Sequence, residues 1–157
     1  MEKSYVYLRN AIRLADENIT NKGGGPFGAV VVKDGKIIAR AVNTVTTGND
    51  PTAHAEVNAI REACRNLQTF DLSGCEMYAS CEPCPMCLSA IYWARIDKVY
   101  YAGSRADAQA AGFDDSFIYQ ELEKSPDERK IPAIQALNVE GEKPLLRWTA
   151  TENKVHY

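Results

Sequence analysis

The chain has 157 residues, a length that predicts one domain, and 45% hydrophobic and 25% charged residues with few Gly and Pro exclude disordered, collagen-like and low-complexity classes. Eighteen Lys/Arg against 21 Asp/Glu leave a net charge of −3, without the basic face that a nucleic-acid binder needs. The longest aliphatic run, Ala29-Val30-Val31-Val32, is too short to span a bilayer, and residues 1–10 show no signal-peptide pattern, so the expected location is the cytoplasm.

In chain order, Leu8, Ala11, Ile12, Ala15 and Ile19 recur at helical spacing and predict a first amphipathic helix over 4–21. Gly23-Gly24-Gly25-Pro26 ends it; the cluster precedes a strand instead of opening a helix, which argues against a phosphate cradle. Two β-branched runs, 27–33 and 36–45, flank Asp34-Gly35 and predict an antiparallel hairpin. Asn49-Asp50-Pro51-Thr52 is a turn that opens a helix carrying Val57, Ile60, Cys64 and Leu67 on one face. A strand over 75–80, a helix over 85–95, a strand over 98–102 and a short helix over 115–122 follow. Residues 133–139 are expected to form a fifth strand and 145–154 a closing helix. Strands alternating with helices imply parallel pairing in the middle of the sheet, and the initial hairpin makes it mixed. The expected fold is an α/β three-layer helix–sheet–helix sandwich around a mixed five-stranded sheet.

Five cysteines, at 64, 75, 81, 84 and 87, and two histidines, at 54 and 156, narrow the chemistry. Without an export signal, clustered cysteines point to metal or catalysis rather than disulfides. His54-Ala55-Glu56 and Pro83-Cys84-Pro85-Met86-Cys87 each begin a predicted helix after a strand or loop, where open α/β sheets bind ligands. Cys84 and Cys87, three apart, share one face of a first turn whose unpaired N–H groups favour thiolates. With neutral His54 they supply three ligands to a tetrahedral ion and leave a fourth place open, the arrangement of catalytic zinc. Glu56, aimed from the helix start into the same pocket, can carry a proton between water and substrate. H-x-E followed by P-C-x-x-C is the signature of the zinc deaminases. The competing arrangement uses Cys81 as a fourth ligand in a closed, inert zinc site. An iron–sulfur run would want cysteine at position 91, which is Ile91. Cys64 and Cys75 are expected to fill core space.

Residues 25–32 (GPFGAVVV), 49–56 (NDPTAHAE), 80–87 (SCEPCPMC), 90–95 (AIYWAR) and 111–119 (AGFDDSFIY) resemble the bacterial-type guanine deaminases of the cytidine deaminase superfamily. The zinc motifs belong to the whole superfamily; the Phe-Asp-Asp block and the terminal Tyr157 point to the guanine branch. The resemblance implies a cytidine deaminase-like fold, one Zn2+ per subunit and hydrolysis of guanine to xanthine and ammonia, with attack at C2 and Glu56 moving protons. It also implies that Asn43 binds the purine edge, Asp115 accepts from ring N–H groups, Tyr157 closes the pocket, Phe27 packs on the base and Ala55 borders it. A homodimer with exchanged C-terminal segments is part of the same expectation. A carboxylate suits guanine, whose ring N–H adenine and cytosine lack at the equivalent edge. The alternatives are a tRNA adenosine deaminase, another free-base deaminase, or a structural zinc module.

Overall fold

The computed structural model describes the backbone of residues 2–157 and side chains from Tyr5 onward; Met1, where the sequence reading begins, lies outside them. Helix α1 (Glu2–Thr20) leads into strands β1 (Gly28–Lys33) and β2 (Lys36–Val42), an antiparallel hairpin. Asp34 and Gly35 at its tip both have positive φ, 50° and 73°, as a two-residue type I′ turn requires. One turn of helix, α2 (Val45–Gly48), precedes α3 (Ala55–Leu67), then β3 (Cys75–Cys81), α4 (Pro85–Trp93) and β4 (Lys98–Gly103). Helices α5 (Arg105–Ala110), α6 (Ser116–Glu123) and α7 (Asn138–Ala150) complete the chain.

The sheet has the order β2-β1-β3-β4, with β1 antiparallel to both neighbours and β3 parallel to β4 across α4. It is mixed, as expected. Both faces of β1 are covered, so its apolar run is continuous instead of alternating. Ala29 and Val31 pack with Ala55, Ala59 and Ala63 of α3, Met77 of β3 and Ile91 of α4. Val30 and Val32 face the other way, onto Ala11 of α1 and Tyr78 of β3. Gly28 lets α1 approach: a Cβ there would lie 2.4 Å from the Ala11 carbonyl oxygen.

Two expectations are corrected. The described residues form four strands, not five: 133–137 is irregular chain and Asn138 already begins α7. Alternation of apolar and polar residues makes a strand only where a neighbouring edge offers hydrogen bonds and one face is covered. Here Ile134 and Leu137 are exposed, and Leu137 takes left-handed φ of 54°, which breaks an extended run. Consequently the closing helix starts earlier than 145 and runs through Pro144. Helix α5 was not anticipated, although Ser104 and Asp107 form a reciprocal capping box legible as S-x-x-D.

The chain divides into two compact units, 1–115, which holds the sheet, and 116–157, which holds α6 and α7. Neither α6 nor α7 has a buried residue. Among the described residues no helix is long and apolar enough to cross a membrane.

Candidate metal centre

Two helix starts build the site. His54 is the N-cap of α3 and Cys84 the N-cap of α4; both have extended backbone (φ −68°, ψ 154° and φ −66°, ψ 169°), and neither side chain caps its own helix. Both side chains are therefore left to meet each other. Pro85 occupies the first turn of α4, where its missing N–H costs no hydrogen bond. The turn before α3 is fixed by Asp50, whose Oδ1 accepts from the Thr52 N–H at 2.8 Å and hydroxyl at 2.7 Å. Asn58 Nδ2 then ties α3 to the end of β2, donating to the Val42 carbonyl at 3.0 Å and the Ala53 carbonyl at 3.2 Å.

His54 Nδ1 lies 3.6 Å from Cys84 Sγ and 3.5 Å from Cys87 Sγ, and donor atoms of all three residues fall within 4.8 Å of one another. Donors about 2.0 and 2.3 Å from a tetrahedral ion stand roughly 3.5 Å apart, so this donor set fits zinc without rearrangement. Cys81 does not join the group. At the end of β3 its thiol donates to the Ser104 carbonyl at 3.5 Å, which removes support for the closed four-ligand site.

Glu56, in the first turn of α3, is only 6% exposed, and its Oε2 accepts from Cys87 Sγ at 3.4 Å. Burial pushes its carboxyl above the usual carboxylate range. Hydrogen bonding from Cys87, against the cost of burial and with help from His54, pulls Cys84 down to about 4; the Cys84 partner pushes Cys87 up. Of the two thiols, Cys87 is thus the harder to deprotonate. The His54 ring is raised by its hydrogen bond with Cys84, against burial. Binding an ion to both sulfurs must displace the Cys87 proton, so zinc affinity rises with pH and falls on acidification. Competition against a chelating indicator between pH 7.5 and 5.5 is expected to weaken zinc binding about tenfold per pH unit for each proton displaced. Affinity independent of pH would exclude the two-thiolate donor set.

The remaining sequence-predicted residues are distributed as follows. Asn43, 6% exposed, follows β2; its Oδ1 accepts from the N–H groups of Gly25 at 3.3 Å and Val45 at 3.1 Å. It is thus a turn residue, with its carboxamide oxygen committed to two backbone N–H groups. Asp115 is half-buried, and its Oδ1 is shut off from solvent with no hydrogen-bond partner. Burial and the nearby Cys84 charge raise its carboxyl, with Arg105 opposing. This orphaned carboxylate oxygen lies within electrostatic reach of Cys84, and an unpartnered buried polar atom calls for an explanation. Phe27 packs against the core and meets Phe113, the first residue of the Phe-Asp-Asp block, edge-on, with centroids 4.9 Å apart and planes at 82°. Ala55 is fully buried at the start of α3, in the core cluster with Ala29 and Val31. Tyr157 belongs to the second unit and is 74% exposed.

Residues 1–103 match the model of the cytidine and deoxycytidylate deaminase zinc-binding region. The chain is 55% identical to the guanine deaminase of Bacillus subtilis (strain 168) over 152 residues, 97% of each chain. An X-ray structure of guanine deaminase from Bacillus subtilis superposes with a TM-score of 0.95, 54% identity and 98% coverage of both chains. A guanine deaminase from Nitrosomonas europaea superposes with a TM-score of 0.66 and 35% identity over 70% of this chain and 64% of that one. The tRNA-specific adenosine deaminase of Aquifex aeolicus (strain VF5) is 49% identical, but over 65% of this chain and 66% of its own.

Proposed function

The chain belongs to the cytidine and deoxycytidylate deaminase zinc-binding family, and we propose that it hydrolyses guanine to xanthine and ammonia. The carrying observation is the unpartnered Oδ1 of Asp115, buried near the metal-binding group. Guanine brings ring N–H and amino donors to such an oxygen. Adenine and cytosine, lacking that ring N–H, would leave it partly unpaired, which costs binding. The likeness to guanine deaminase along nearly the whole chain, against two thirds for the tRNA enzyme, supports the same choice.

His54 Nδ1, Cys84 Sγ and Cys87 Sγ are the residues that would hold zinc, which when bound supplies the Lewis acidity that brings water ionisation into the neutral range. Asp115 accepts from the ring N–H and Asn43 Nδ2 donates to an acceptor on the purine edge, which together orient the base. Phe27 packs against it, and Ala55 borders it at the head of α3. Glu56 takes one proton from the attacking water and delivers it to the ring nitrogen beside C2, then takes the second from the resulting hydroxyl and delivers it to the departing amine, so that guanine and water become xanthine and ammonia. Its raised carboxyl suits this traffic, since a carrier works best when neither of its forms is strongly favoured.

The test is ammonia release by the zinc-loaded protein from guanine, adenine, cytosine and an RNA hairpin. Release from guanine in large excess over the others is expected; activity on the hairpin with none on guanine would reverse the assignment. The reading places one zinc in each subunit of a cytoplasmic homodimer whose substrate is a free base, with no nucleic-acid or membrane partner. The 116–157 unit supports the dimer: Ile131, Ile134, Leu137, Leu145 and Leu146 are exposed and it has no core of its own. In this reading it is exchanged between subunits of one functional domain, and Tyr157 closes the pocket of the neighbour. Light scattering is expected to give twice the chain mass, and a monomer at micromolar concentration would remove the exchange.

A further inference from the structure

Near its C-terminal end α1 buries a carboxamide, Asn18, to 4% exposure. Asn18 Nδ2 donates to the Gly25 carbonyl at 2.8 Å and the Asn43 carbonyl at 2.9 Å. The main-chain carbonyl of Asn18 accepts from Gly23 N at 2.9 Å. Gly25 and Asn43 are joined again from the other side, because Gly25 N donates to Asn43 Oδ1. The three residues therefore close a ring of hydrogen bonds around the backbone that carries Asn43. The glycine cluster is moulded to it. A Cβ on Gly23 would lie 2.1 Å from Asn18 Oδ1, and one on Gly24, whose φ is +154°, would lie 2.4 Å from the Asn43 carbonyl oxygen. Thr47 completes the clamp by donating from its hydroxyl to the Gly23 carbonyl at 2.9 Å.

We propose that Asn18 is a positioning residue for base recognition: through the Gly25 and Asn43 carbonyls it fixes the Asn43 carboxamide with Oδ1 on backbone N–H groups and Nδ2 left to the substrate. The inference rests on the guanine reading for what Asn43 touches. Asn43 Oδ1 accepts two backbone N–H groups, so the carboxamide cannot rotate by half a turn without setting its NH2 against two donors. That lock holds only while Gly25 and Val45 stay where they are, and Gly25 is held by Asn18. Loss of Asn18 Nδ2 takes the donor from the Asn43 carbonyl and leaves the Gly25 carbonyl with the Phe27 N–H alone, which loosens the loop. Asn43 then no longer offers a prepared donor, and ordering it falls to the substrate.

The test is a double-mutant cycle on the zinc-loaded enzyme with guanine, using Asn18→Ala, Asn43→Ala and the pair. Asn18→Ala is expected to raise KM about tenfold or more with a smaller change in kcat and unchanged zinc content. Added to Asn43→Ala, it is expected to change KM by less than about twofold. Independent effects that multiply in the double variant would overturn the proposal. A second arm needs no substrate: exchange of the Gly25 and Val45 amide hydrogens is expected to quicken about tenfold or more in Asn18→Ala, and unchanged protection would overturn the proposal. Should Asn18→Ala fail to fold, Gly23→Ala displaces the carboxamide while keeping all its polar atoms, and the same shifts are expected from it. If the unaltered protein ignores guanine, the substrate reading fails, and the exchange arm alone then decides whether Asn18 holds the loop.

Discussion

Replacement of Glu56 by Ala is expected to lower kcat for guanine at least 10²–10⁴-fold, roughly the scale of a lost general acid/base, with one zinc per chain and the fold retained. Glu56 caps no helix, and its side chain accepts a hydrogen bond from Cys87. The fold gains little from it, since burial of the carboxyl disfavours its charged form more than its hydrogen bonds favour it. Glu56→Gln sharpens the test: it keeps size and polarity but cannot take a proton, so it should be about as slow as the Ala variant. Rates are to be read alongside elemental analysis and thermal melting. Unchanged turnover in either variant, with zinc present, would remove the proton-carrying role.

The second large effect is expected at Asp115. Asp115→Asn should reduce kcat/KM for guanine by about 10–10², the value of one charge-assisted hydrogen bond. A further loss is expected if the Asn amide turns its NH2 towards the ring N–H and sets donor against donor. Zinc content should not change, because Asp115 interacts with Cys84 through charge and supplies no ligand. The free protein should tolerate the change well, since Oδ1 has no partner to lose. Near-normal kinetics would exclude Asp115 from the pocket.

Much of the first unit was legible because its signals are local. Asp34-Gly35 fixes the hairpin, the Ala29–Val32 run a strand covered on both faces, and Pro85 a helix start. The metal-binding group was legible for the same reason, since His54 and the cysteine pair each sit at a helix start that their own flanking residues specify. Asn43 and Asp115 were reached only through resemblance: a lone Asn after a strand and a lone Asp before a helix look like ordinary turn and cap residues. Asn18 carried no signal at all. Its partners are backbone carbonyls 7 and 25 residues away, and carbonyls have no sequence identity.

The sequence by itself determined the donor chemistry, one imidazole, two thiols and a carboxylate, together with the helices that present them, because spacing within a turn is a local property. Only the tertiary structure decided that Cys81 turns to the Ser104 carbonyl and away from the other sulfurs, that one Asp115 oxygen is sealed from solvent without a partner, and that 133–139 finds no sheet edge. Each of these depends on which distant groups come within about 3.5 Å, and chain topology sets that, not residue type.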